Sequence, residues 1–355
     1  MEKEKKRIKI WKVFLGVILA VVICAAGAFL VLTATEYKPQ DVEAVTVPGG
    51  SQKLELNKTF TIVSYNTGYA ALGENADFFM DGGLTMRPDS PDVIKTYLAG
   101  ITEELRELGA DIYLMQEVDV NSKRSYGIDE TAYYQEALGI PFSFALNFKS
   151  AFTPFPLSDM MGRVTSGLAV YTNYAVDSAE RIQLPVPFSW PISCFNLKRC
   201  LLVNRMPIEG TDKQLVAVDL HLEAYDDGEG KKAQTKQLYE FISSEYEKGN
   251  YVIAGGDFNQ TFPGAFPFPE IKEGNWMPLT LDSSLPSGFA FAFDAERPTC
   301  RLLDVPYKGN QDPQFYIIDG FIVSENIIVD SVEVVETNFI NSDHQPVKLV
   351  FTFGE

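Results

Sequence analysis

The chain has only two histidines, His221 and His344, and both stand beside carboxylates. His221 lies in Asp219-Leu220-His221-Leu222, and His344 in Ser342-Asp343-His344-Gln345-Pro346. Four further strings put polar, chemically able groups at the ends of apolar runs. VSYN ends in Asn66, and YLMQEVD carries Gln116 and Glu117. Gly255-Gly256-Asp257-Phe258-Asn259 follows a short apolar stretch, and Asp319 sits within YIIDGFIVS. Singly these strings are weak, because Asp and Asn after a strand most often serve turns. The Ser-Asp-His-x-Pro run is stronger: average residue usage yields it by chance in on the order of one chain in a thousand. That every histidine falls in such a string favours a catalytic reading over a structural one.

Carboxylates and amides, with little histidine and no paired cysteines, suit a hard, oxygen-seeking cation such as Mg²⁺ or Mn²⁺. Glu117 would hold such an ion, which would polarise a phosphoryl oxygen. An Asp beside an Asn, as in Asp257 and Asn259, can orient and deprotonate a water. A histidine paired with an aspartate can stay protonated and stabilise charge on phosphate oxygens. There is no Gly-x-Ser-x-Gly string, phosphate-binding loop or dinucleotide fingerprint in the sequence.

The elements that must position these residues read as strands alternating with helices. Strands are expected at Thr59–Tyr65, Asp111–Gln116, Gly167–Tyr171, Gln214–Leu222, Tyr251–Ala254, Phe315–Val323, Ile327–Glu336 and Pro346–Phe353, from β-branched and aromatic density. Helices are expected at Pro91–Leu108, capped by Ser90, at Thr131–Leu138 and at Lys231–Lys248. Short buried strands interleaved with helices, followed by antiparallel strands, predict two packed sheets flanked by helices. Three segments rich in Phe, Trp and Pro, Phe142–Pro156, Pro185–Pro191 and Phe262–Pro269, read as loops that could touch lipid, stack on a ring, or pack as core.

The N-terminus is of another kind. Residues 1–12 hold six Lys or Arg against two Glu, and Val13 to Thr35 then runs 23 residues without a charge. A helix of that length spans about 34 Å, enough to cross a bilayer. The basic flank predicts a cytoplasmic N-terminus, so the division expected is a cytoplasmic tail (1–12), a signal-anchor helix (13–35), a linker (36–58) and an extracytoplasmic catalytic domain (59–355). A cleaved signal peptide would have a shorter apolar run, and a lipoprotein signal at Cys24 is opposed by Ile23 just before it. Cys194, Cys200 and Cys300 allow either one disulfide with a free thiol or three buried thiols. The net charge of −18 disfavours nonspecific nucleic-acid binding without excluding a nuclease.

The order Asn, Gln-Glu, x-x-His-Leu, Gly-Asp-x-Asn, Asp, Ser-Asp-His-x-Pro resembles the endonuclease/exonuclease/phosphatase superfamily, over roughly Thr59 to Phe353. The resemblance implies an α+β, four-layer α/β/β/α sandwich with the site at one edge. It implies Glu117 as the main metal ligand with Asn66, Asp343 as a further metal-site carboxylate, and Asp257 as the group that activates water. It further implies Asn259 and His221 as phosphate contacts, His344 as the stabiliser of the transition state, and Asp319 as its orienting partner. Asp219 stands where many relatives carry Asn and reads as a supporting residue. Arg124, soon after Glu117, is a candidate substrate contact. The implied substrate is a phosphoester, with a phospholipid or its headgroup favoured for an anchored domain. An extracellular nuclease using the same site is the alternative, and a catalytically dead binding module at the surface is the reading from another class. Specificity would lie in the loops.

Overall fold

In a computed structural model, which describes residues 10–47, 49–274 and 276–354, two sheets stack face to face. Thirteen strands build them: β1 (Val42–Val45), β2 (Phe60–Asn66), β3 (Ile112–Asp119), β4 (Phe142–Thr153), β5 (Gly162–Thr172), β6 (Ser178–Gln183), β7 (Cys200–Pro207), β8 (Gln214–His221), β9 (Tyr251–Asp257), β10 (Phe289–Ala292), β11 (Asp319–Ser324), β12 (Ile327–Val334) and β13 (Val347–Phe353). One sheet runs β1-β6-β7-β8-β9-β11-β10, and the other β12-β13-β2-β3-β5-β4. The central pairs β2/β3 and β8/β9 are parallel, and their neighbours are antiparallel.

Side-chain alternation explains the layers. Phe60 and Ile62 of β2, and Ile112 and Leu114 of β3, join Leu215, Ala217, Ile253 and Phe321 between the sheets. Their odd-step neighbours Val63, Tyr65, Tyr113 and Met115 face outward, under Ile94, Leu98, Ile101 and Leu105 of α2 (Pro91–Leu108). Strands covered on both faces lose the polar alternation and read as continuous apolar runs. Leu238 and Ile242 of α4 (Glu229–Glu247) cover the other sheet over Val216, Val218 and Val252. With α3 (Glu130–Leu138) beside α2, this is the α/β/β/α sandwich expected.

Several boundaries differ from the sequence reading. Ser90 occupies the cap position of α2 but its side chain makes no capping bond, whereas Asp129 caps α3 by accepting from the Ala132 amide at 3.0 Å. The Phe315–Val323 run is broken at Ile317-Ile318, giving a two-residue strand and then β11. Phe142–Pro156, read as a loop, is mostly β4, in which Phe142, Phe144, Leu146 and Phe148 pair with β5. Phe262 is buried and stacks on Phe293, so its segment packs into the core at that end. Cys194, Cys200 and Cys300 are buried free thiols.

The N-terminal apolar run is a helix, α1 (Ile10–Ala34), long and apolar enough to cross a membrane and exposed along its length. Residues 1–9 of the basic tail lie outside the described residues. The segment 36–58, expected as a linker, is instead tied to the domain. β1 pairs with the β6 edge, Leu54 is fully buried, and Glu36 meets Lys198 at 3.0 Å.

Candidate active site

The strand ends named in the sequence meet at one edge of the sandwich. Parallel register sets His221 beside Asp257, and antiparallel register sets Asp319 on its other side. In the second sheet Asn66 pairs with Gln116. The chain then has to turn Glu117 toward the same edge, and it does so at a β-bulge: the β3–β5 register shifts between Met115 and Val118, and Glu117 takes φ 58°. Such bulges re-aim a single side chain at the cost of local pairing. Gly256, with φ 151°, lets β8 approach: a Cβ there would stand 1.9 Å from the Leu220 carbonyl oxygen.

Asp257 is the hub. Its Oδ2 accepts from Asn66 Nδ2 at 3.0 Å and lies 3.3 Å from His221 Nε2 and 3.7 Å from His344 Nε2. Its Oδ1 accepts from the Asn259 amide at 2.8 Å, while Asn259 Nδ2 donates to the Leu222 carbonyl at 2.8 Å. Asn66 is itself fixed, because its Oδ1 accepts from the Gly68 amide at 3.0 Å. His344 Nδ1 lies 2.9 Å from Asp319 Oδ2, and Asp343 reaches 4.0 Å from His344 Nε2. Asp219 accepts from Gln116 Nε2 at 2.6 Å, a buried bond joining the two sheets beneath the site.

Burial and neighbouring charge divide these groups. Burial pushes the Asp257 carboxyl up to about 7, assisted by Asp319 and opposed by His344. Burial opposes charging of His344, but Asp319 first, with Asp257 also contributing, outweighs it and holds the imidazole pKa well above its usual value. His221 goes the other way: burial, with Arg199 and His344 beside it, keeps it neutral. Asp219 is buried without a countercharge, and its pKa is raised well above the usual carboxylate range.

Arg124 is buried, and its Nε and Nη2 are engaged within the protein. It holds Asp119 through Nε at 3.0 Å and Nη2 at 2.8 Å, lies over the Tyr69 ring at 3.7 Å, and comes within 3.9 Å of Glu117. Arg124 also lines the cavity beside Glu117, where the substrate contact expected from the sequence would fall. Two buried arginines escaped the sequence reading. Arg199 lies 3.5 Å from Glu223 and donates to the His221 carbonyl at 3.3 Å; Arg301 donates to the Leu72 and Gly73 carbonyls at 3.1 and 2.9 Å. Only Glu223, two residues after His221, carried a signal, since both arginines come from segments with no motif. All three arginines line a cavity of about 460 Å³ together with Glu117, His221 and His344.

The residues fit a hard cation at Glu117 and Asp343. Among the described residues Glu117 accepts no hydrogen bond, and its nearest cation is the Arg124 group 3.9 Å away. Burial raises the Asp343 carboxyl to about 6, with a contribution from the repulsion of Glu117. Two carboxylates that repel across an open cavity are a site a divalent ion relieves. Atoms of Asp257, Asp319 and His344 also converge, within 4.8 Å of one another. His344 is committed to Asp319 there, however, and an imidazolium repels a metal ion.

A profile of the Endonuclease/Exonuclease/phosphatase family matches residues 64–344. The chain belongs to that family, whose enzymes are phosphoester hydrolases using divalent metal ions, and it is one of those hydrolases. Among solved structures it is similar to an endonuclease/exonuclease/phosphatase from Beutenbergia cavernae, at 16% identity and TM-score 0.55, over 84% of this chain and 72% of that one. ANGEL2, described as a 2',3'-cyclic phosphatase, aligns at 14% identity and TM-score 0.53 over 88% of this chain and 99% of its own. The human nocturnin catalytic domain with bound sulfate aligns at 16% and 0.52, over 85% and 95%. These likenesses establish the fold. Comparison with curated proteins gave no match.

Proposed function

We propose that the chain is a membrane-anchored phosphoesterase working on the extracytoplasmic side with Mg²⁺ or Mn²⁺. The observation that carries this reading is the gathering of Asp257, both histidines and Asn66 within hydrogen-bond or near-contact distance, from strand ends of both sheets. Glu117, Asn66 and Asp343 would hold the ion, and the bound ion would polarise a phosphoryl oxygen.

The remaining steps belong to the protein's own groups. Asp257, pushed up to about 7, is a base matched to neutral pH and takes a proton from the attacking water. The water oxygen bonds to phosphorus, the ester P–O bond breaks, and the leaving oxygen takes a proton from solvent, to which Asp257 in turn returns the proton it took. His344, kept cationic by Asp319, faces the charge that grows on the phosphoryl oxygens. His221 and Asn259 orient Asp257 and the phosphate group. Asp219 supports this floor from between the sheets. A binding-only module would have no need of so complete a set, and the net charge of −18 counts against a nuclease.

The test is turnover of bis(p-nitrophenyl) phosphate by the full chain in detergent, with and without Mg²⁺ or Mn²⁺. Metal-dependent turnover lost in Asp257→Ala supports the reading; equal turnover in that variant removes it. For topology, a reporter fused after Glu355 is expected to be active only outside the cytoplasm, and cytoplasmic activity reverses the orientation.

A further inference from the structure

The anchor helix does not hang free of the catalytic domain. At its C-terminal end Phe29 packs on Trp190 with ring centroids 5.8 Å apart, and Trp190 Nε1 donates to Thr33 Oγ1 at 3.0 Å. Three residues beyond Thr33, Glu36 is locked to Lys198 at 3.0 Å, with both side chains buried. These contacts fix the helix end against the domain, which would set the surface around Trp190 where the helix leaves a bilayer. Tryptophan favours that depth because its ring is apolar and its N–H is polar.

The loop that carries Trp190 also carries the wall of the active-site cavity, through Phe188, Ile192 and Phe195. Phe155, from the β4–β5 connection, comes 6.1 Å from Phe195 and continues that wall. Around this mouth Phe152, Phe155, Leu157, Val186, Trp190 and Ile192 are exposed, Leu157 to 76%. Residues 184–197 and 150–158 contain no charged side chain, in a chain of net charge −18. An exposed apolar patch bordered by a polar surface marks an interaction site, and its continuity with the end of the membrane helix names the occupant as the lipid leaflet.

We propose that this collar dips into the leaflet from which the helix emerges, and that the enzyme hydrolyses the phosphoester of a membrane-resident lipid. The phosphate would enter the cavity from the bilayer plane to reach Asp257 and His344. The adjoining apolar walls would take up the first carbons of the lipid. The inference rests on the phosphoesterase reading and adds the substrate class and the direction of entry.

The full chain, reconstituted in vesicles of phosphatidylcholine, phosphatidylglycerol and sphingomyelin, tests it against bis(p-nitrophenyl) phosphate as the soluble substrate. The wild type is expected to release headgroup or phosphoheadgroup product from vesicle lipid in a metal-dependent way. The double variant Phe152→Ser with Leu157→Ser should lower lipid turnover about 10-fold or more and leave soluble turnover within about twofold. Soluble turnover without any lipid turnover, or lipid turnover unchanged in the variant, overturns the collar proposal and leaves the phosphoesterase standing. Loss of both activities in the wild type removes the phosphoesterase itself. As a readout independent of activity, Leu157→Cys in a Cys24→Ser background, labelled with a polarity-sensitive dye, should be quenched by a lipid-soluble quencher in vesicles. A fully water-exposed signal contradicts insertion.

Discussion

The floor and the mouth of one cavity are built on opposite principles. The floor is dense with paired charge: Asp257, Asp319, His344 and Asn66 bond to one another, and each is nearly excluded from water. The mouth, around Phe155, Leu157 and Trp190, carries no charge and leaves large apolar side chains in the open. A buried ionic floor fixes geometry and proton affinity, and its loss is felt by every substrate. An open apolar rim fixes little of the chemistry and acts on where the substrate comes from. The two should therefore fail differently when broken.

The largest effect is expected at the floor. Asp257→Ala and His344→Ala should each lower turnover by roughly three orders of magnitude or more on soluble and lipid substrates alike. Circular dichroism and a thermal melt should show the fold retained. Removal of metal with EDTA should abolish turnover and Mg²⁺ should restore it. Glu117→Gln should raise the Mg²⁺ concentration for half-maximal activity by on the order of 10- to 100-fold, measured by titration at fixed substrate; an unchanged midpoint would remove Glu117 from the metal site. At the mouth, the Phe152→Ser, Leu157→Ser pair should lower only the vesicle activity, by the about 10-fold stated above.

Within the floor the two histidines sharpen the comparison, since they differ only in surroundings. In the chelated protein, NMR of the imidazole nitrogens should show His344 still protonated above its usual range, held there by Asp319. His221 should still be neutral below that range, because burial and Arg199 disfavour its charge. With only two histidines, one His221→Gln variant assigns both signals. A pair of ordinary values near 6.5 would contradict the division of roles.

The smallest effect is expected far from the cavity. Glu245 is nearly inaccessible; burial alone would raise its carboxyl, but Arg205, at 2.6 and 3.1 Å, and Lys248 pull it down to about 2. Its folded pKa lies below its unfolded value, so its contribution is complete above about pH 4.5 and is lost as pH falls toward 2. Glu245→Gln should cost roughly 2–3 kcal/mol at pH 7 in a urea titration and progressively less toward pH 3, with soluble-substrate turnover unchanged at permissive temperature.

The floor was legible in the sequence because its residues sit at strand ends, where a one-residue register error would bury them on the wrong face. Asn66, Glu117, His221, Asp257, Asp319 and His344 could thus be named from short strings, and the structure brings them together. The strands around them were legible where both faces are covered, as in β2, β3 and β9. β1 and β6 were not, since an edge strand and a mixed polar run such as SAERIQ look like loops until a partner strand covers them. Arg199 and Arg301 were missed for a related reason: their placement depends on tertiary packing from segments with no local pattern. The apolar mouth showed in composition alone, as Phe- and Pro-rich stretches. Whether those stretches were core, lid or collar depended on the contact between Trp190 and the helix end, which no local signal reveals.

The measurement that bears most directly on the account is metal-dependent phosphoester hydrolysis by the full chain, run beside Asp257→Ala as its own control. The account predicts turnover with Mg²⁺ or Mn²⁺, none with chelator, and none above background in the variant. Equal activity in wild type and variant, or no turnover on soluble or vesicle substrate by a folded, metal-supplied wild type, would contradict it.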